Sequence, residues 1–176
     1  MTKTAANASS HVELVPAARD QAPIVANLLQ LYAHDFSEFH EVDLAEDGRF
    51  VYTELPLYWS DPDRHPFLIK VEDKLAGFVL VKRASDLSGN KKVWDMTEFF
   101  VTRGYRRRGI GTQIAHDLWR QFPGTWEVRV MQSNVAGHKF WVRAIANFTG
   151  KAIHPARIKK GGEPWSVFTF ESSLAA

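Results

Sequence analysis

Residues 103–112 read Arg-Gly-Tyr-Arg-Arg-Arg-Gly-Ile-Gly-Thr (RGYRRRGIGT), and this stretch decides how the chain is read. An apolar run, Phe99-Phe100-Val101, leads into it. Behind it Ile110, Ile114, Leu118 and Phe122 recur every four residues, the stripe of an amphipathic helix. The segment therefore leaves a strand and opens a helix. A helix N-terminus carries unpaired N–H groups and a partial positive charge. Glycines let a ligand come close to the backbone. Together they predict an anion site, most naturally for phosphate.

Three phosphate loops compete for this pattern. Gly104 and Gly109 have the separation of a GxxxxGK[ST] loop, but Ile110-Gly111 stand where Lys and Ser/Thr are needed. A dinucleotide loop, GxGxxG, lacks its third glycine, because Ile114 holds that place. The remaining form is R-x-x-G-x-G: Arg106, Gly109 and Gly111. A solvated arginine run beside an ordinary turn does not account for two glycines at this spacing between a strand and a helix.

Working outward, residues 93–101 (VWDMTEFFV) predict the preceding strand. Residues 66–71 (PFLIKV) and 77–82 (GFVLVK) flank a polar Glu72-Asp73-Lys74 turn and predict a hairpin. The Ser, Gly and Asn cluster over 85–90 is a loop. Further upstream, 11–18 (HVELVPAA) predicts a strand. Arg19-Asp20 offer an N-cap, and Ile24, Leu28, Leu31 and Tyr32 predict a helix to about Asp35. Residues 36–66 mix acids and aromatics, with a short helix expected near 50–55. Downstream, Pro123-Gly124 stop the helix. Trp126, Val128 and Val130 alternate with Glu127, Arg129 and Met131 as a strand. A helix is expected over 135–147 with Asn134 as N-cap, and a last strand over 166–170.

The bulk properties fit one α/β domain. The chain has 176 residues, 45% hydrophobic, with a net charge of +2. That length buries roughly 70% of the unfolded surface without disulfide staples. Residues 1–10 read as a flexible tail and 11–176 as a single domain. The absence of cysteine excludes thiol nucleophiles, Cys-zinc sites and iron–sulfur clusters. No HxxxH or HExxH spacing occurs, so no metal is expected. The even charge argues against a nucleic-acid partner. No apolar run reaches the ~18 residues of a membrane span and no signal-peptide core is seen, so a cytoplasmic protein is expected.

At the loop the sequence resembles the GNAT superfamily of acyl-CoA-dependent N-acyltransferases. Val101, Tyr105, Arg106, Gly109, Ile110 and Gly111 match its V-x-x-x-[YF]-R-x-x-G-[IVL]-G pattern. Asn134, Gly137, Phe140 and Trp141 match a second, Asn-x-x-A/G-x-x-F-[YW], and the hairpin with Gly77 sits where the family places one. The likeness is good over about 66–150 and only outlined before. It implies a mixed central sheet with splayed parallel strands flanked by helices, and acetyl-CoA as co-substrate. The backbone of Arg106, Arg107, Arg108, Gly109, Ile110, Gly111 and Thr112 would then cradle the pyrophosphate. Phe99, Phe100 and Val101 would bond the pantetheine arm, with Asn134 and Phe140 also on the cofactor side. The family also often forms homodimers.

Transfer to an amine requires the ammonium to lose a proton, which a carboxylate accepts. Two candidates lie on the strand, Asp95 and Glu98. They are three apart and face opposite sides unless a bulge intervenes. Glu98 is preferred because it adjoins Phe-Phe-Val. Many relatives carry a tyrosine as general acid where this chain has Trp141, and indole is no useful acid. The first helix and its loop are expected to hold the acceptor through Tyr32, Asp35 and Glu38, with Glu41, Asp43, Phe36 and Phe39 nearby. The expectation is acetyl transfer from acetyl-CoA to a small-molecule or peptide amine. The alternative is a non-catalytic acyl-CoA-binding module on the same fold.

Overall fold

The computed structural model describes residues 11–172, so the tail expected over 1–10 lies outside them. In chain order the elements are β1 (Val12–Pro16), α1 (Ala22–Phe36), β2 (Arg64–Val71), β3 (Lys74–Arg83), β4 (Trp94–Val101), α2 (Ile110–Gln121), β5 (Gly124–Met131), α3 (Val135–Thr149), β6 (Ala156–Lys160) and β7 (Glu163–Ser172). The strands form one seven-stranded sheet in the order β1-β2-β3-β4-β5-β7-β6. Only β4 and β5 run parallel; the other neighbours are antiparallel.

The helices cover both faces. Ile110, Ile114, Leu118 and Trp119 of α2 and Trp141 and Ile145 of α3 pack with Val79, Val81, Met96 and Val128 on one face. Val25, Leu28 and Leu29 of α1 pack with Phe78, Leu80 and Phe100 on the other. The hairpin between β2 and β3 turns on two residues, Glu72 (φ 49°) and Asp73 (φ 61°), the left-handed pair that suits the twist of flanking strands.

Three local expectations are corrected. A 3-10 turn over Arg19–Gln21 precedes α1, so Gln21, not Asp20, stands at its N-cap, with a proline in the first turn. The buried stripe is accordingly Val25, Leu28 and Leu29, while Ile24 and Leu31 are exposed. The short helix expected near 50–55 is instead a 3-10 turn over Leu55–Trp59. The Gln30 side chain donates to the Phe50 carbonyl and accepts from its N–H, satisfying the backbone there without a helix. β6 was not expected; its short, mostly exposed ARIKK run pairs with β7 along one edge.

Two irregularities shape the middle of the sheet. β4 and β5 pair only from Trp94–Met96 to Trp126–Val128, then separate. This is the splay of parallel strands that the resemblance implies. On the other side of β4, Leu80 pairs with Glu98 but Val81 pairs with Met96, so Thr97 is an extra residue, a β-bulge. The bulge reverses the alternation: Met96 and Phe99 pack on the α2–α3 face, and Phe100 on the α1 face. Asp95 and Glu98 thereby share the α1 face instead of opposing each other.

Candidate active site

The loop after β4 forms a backbone cradle. Arg107 (φ 61°) and Gly109 (φ 79°) are left-handed, and Gly109 is the N-cap of α2 without any side-chain cap. The first helical bond runs from the Gln113 N–H to the Gly109 carbonyl at 3.1 Å. The N–H groups of Ile110, Gly111 and Thr112 precede it and have no partner within the helix. A Cβ at Gly111 would meet the Phe140 ring at 3.2 Å, so glycine lets α2 start close against α3.

The arginines divide in role. Arg106 donates through Nε to the Val101 carbonyl at 2.7 Å and through a terminal nitrogen to Asp35 at 2.6 Å. Arg103 takes the second Asp35 oxygen at 2.6 Å. Burial pushes the Asp35 carboxyl up, but the two guanidinium groups outweigh it and hold it below its ordinary value. Asp35 thus ties the end of α1 to the loop. Arg107 and Arg108 are exposed, and Arg108 lies over the Tyr105 ring.

A cleft of ≈ 410 Å³ opens where β4 and β5 part. Thr97, Glu98 and Phe99 line one side and Arg129, Val130 and Met131 the other, with Trp141 at its wall. Glu98 is half-buried and accepts a bond from the Tyr52 hydroxyl at 3.0 Å, with the Tyr32 phenol also beside it. Burial pushes its carboxyl up; Arg129 and the two tyrosine hydroxyls pull it back without cancelling the rise. Burial also raises both phenols, so they remain donors. A larger cavity of ≈ 610 Å³ is lined by Leu29 and Gln30 of α1 and by residues of the stretch 45–55, and touches none of β4.

Asp95 does not line this cleft. It is 1% exposed and ion-paired with Arg129. Burial pushes its carboxyl up and Arg129 opposes that. Arg129 also leans on the Thr97 carbonyl at 3.5 Å, so Asp95 holds a guanidinium beside Glu98. Glu38 is exposed and, like Glu41 and Asp43, is not among the residues lining the cleft.

The Asn134 side chain accepts from the Gly137 N–H at 2.8 Å, capping α3, and also borders the cleft. Phe140 stacks on Phe99 at 5.9 Å. Trp141 meets Phe99 edge-on at 5.1 Å. Two site residues escaped sequence reasoning. Tyr52 comes from an irregular stretch with no periodicity to place it. Arg129 alternates with Val128 and Val130 in the sequence, but nothing there says that its face is the one Glu98 shares.

No curated protein sequence gives a significant match. An acetyltransferase from Thermus thermophilus has the same fold at 16% identity and a TM-score of 0.67, covering 91% of this chain and 96% of that one. Aminoglycoside acetyltransferase AAC(6')-Ib in complex with coenzyme A aligns at 10% identity and a TM-score of 0.65, over 92% and 95%. Salmonella typhimurium yncA with its cofactor acetyl-CoA aligns at 12% and 0.58, over 94% and 96%. These likenesses establish the fold. The sequence model of the acetyltransferase (GNAT) family matches residues 25–145, most of the sheet together with the cradle and the cleft, and the chain belongs to that family.

Proposed function

We propose that the chain, as one domain over 11–176, transfers the acetyl group of acetyl-CoA to a primary amine by direct attack, with Glu98 accepting the amine's proton. The observation that carries this reading is the opening between β4 and β5 just beyond Met96. Glu98 lies at this opening, and the loop that leaves the end of β4 leads into the first turn of α2. Acetyl-CoA supplies the activated acyl group.

The chain's own residues do the rest. The first-turn N–H groups of Ile110, Gly111 and Thr112 hold a pyrophosphate. Along Phe99–Val101 the backbone groups of Phe99 and Val101 face away from β3, where β5 has turned aside, and bond an extended amide arm and polarise a carbonyl. Glu98 is a carboxylate whose burial raises its proton affinity toward the range useful to a base near neutral pH. Trp141 provides no acid, and none is required: a thiol of pKa roughly 8.5 leaves as thiolate.

Calorimetric titration with acetyl-CoA, beside a Thr112→Asp variant, tests the reading. An aspartate in the first turn favours the helix but repels phosphate. Wild-type binding lost in a variant of undiminished stability supports it; no binding by folded wild type overturns it. Trp141 favours a second reading, an acyl-CoA-binding module without turnover. Binding with no thiol release on any amine selects that one.

A further inference from the structure

We infer that the acceptor is a monoamine carried on an aromatic or branched apolar body, and not a polyamine, an aminoglycoside or an amino acid. This rests on the acetyl-transfer reading above. The acceptor side of the cleft is walled by Phe36, Val42, Phe50, Val51, Met131 and Trp165. Among the described residues its one lining carboxylate is Glu98. The acids that could have received further ammonium groups are placed elsewhere. Asp35 is clamped by Arg103 and Arg106, and Glu38, Glu41 and Asp43 are exposed and do not line the cleft.

The one guanidinium among the described lining residues, Arg129, is paired with Asp95, and the exposed His40 ring lies 3.7 Å from Glu163. An acceptor carboxylate therefore finds no uncommitted guanidinium or ammonium among the described lining residues. A second ammonium finds no second carboxylate among the described lining residues and gains nothing from the apolar walls. A single ammonium fits beside Glu98, with the Tyr32 and Tyr52 rings at hand for cation–π contact. An apolar body gains from covering the walls. At ≈ 410 Å³ the cleft has the size of a small-ligand site.

The test measures thiol release at saturating acetyl-CoA with 2-phenylethylamine, isoamylamine, phenylalanine, spermidine and tobramycin, with acetyl-CoA binding followed in parallel by calorimetry. The expected result is a kcat/KM for 2-phenylethylamine at least about tenfold above those for phenylalanine, spermidine and tobramycin. Calorimetry on the CoA-loaded protein should rank 2-phenylethylamine and spermidine in the same order without turnover. Val51 lines the cleft and is 65% exposed, so Val51→Asp tests the wall without disturbing the core. It should move the ratio at least about tenfold toward spermidine, as a carboxylate then awaits the second ammonium. Equal or better use of spermidine or tobramycin by wild type, an unmoved ratio in Val51→Asp, or turnover of other amines without turnover of the apolar ones overturns the inference. Failure to bind acetyl-CoA, or binding with no thiol release on any amine, overturns the reading beneath it instead.

Discussion

Tyr52 donates its hydroxyl to Glu98 at 3.0 Å, joining the irregular stretch after α1 to the bulged strand at the mouth of the cleft. A hydrogen bond to the charged form favours that form, so Tyr52 moderates the rise that burial imposes on Glu98. Tyr52→Phe should raise the Glu98 pKa further and shift the acidic limb of the kcat profile to higher pH. An unmoved limb means that another group titrates there.

Glu98→Gln keeps the shape and removes the base. The expected loss in kcat near pH 7 is about 10²–10⁴-fold. The gap should narrow at high pH, where the amine in solution is already neutral. A wild-type-like rate across the profile would take Glu98 out of the reaction.

The same substitution has a stability signature of opposite sign. The folded-state pKa of Glu98 is raised, so the folded protein keeps a proton that the unfolded chain releases. Stability then falls as pH rises from the ordinary carboxylate value, roughly 4.3, through the folded one. Glu98→Gln should melt a few degrees above wild type at pH 8, with the difference shrinking toward pH 4. Thermal scans at the two pH values check this. Equal melting at pH 8 would mean that Glu98 is solvated in the folded state.

Reading the sequence worked where local order speaks. The strand, loop and helix around Arg106, Gly109 and Gly111 are contiguous in the chain, and Asn134 announces its own helix. It failed where the decisive fact is a relation between distant segments. Whether Asp95 and Glu98 share a face depends on one extra residue, Thr97, in the pairing with β3. No periodicity marks that residue. The acids near the end of α1 suggested a cation site, yet Asp35 lies between two arginines 68 and 71 residues away. Charge complementarity in the sequence has two solutions, a ligand or the protein itself, and only the fold separates them.

Asp95 and Arg129 form a nearly buried ion pair behind Glu98. Removing one partner strands the other charge, so Arg129→Met should cost about 3–5 kcal/mol. Asp95→Asn together with Arg129→Met leaves no stranded charge and should recover much of that loss. Denaturant melts of the two variants make the comparison. Similar losses would mean that packing, not charge, dominates at this position.

Trp141 tests whether the departing thiolate needs a proton. It is 7% exposed, packed on Phe99 and Phe140, and at the wall of the cleft. Trp141→Phe and Trp141→Tyr remove the same part of the indole and differ only in a hydroxyl, so packing losses cancel in their ratio. General acid help is worth about 10²–10⁴-fold where it limits the rate. If the thiolate leaves unaided, the two variants should agree in kcat within about threefold at pH 9, above the roughly 8.5 of the thiol, and stay within about tenfold at pH 7. An advantage of about a hundredfold for Trp141→Tyr over Trp141→Phe at pH 7 would mean that the wild-type site works without an acid it could use, and that proton delivery to sulfur limits its turnover.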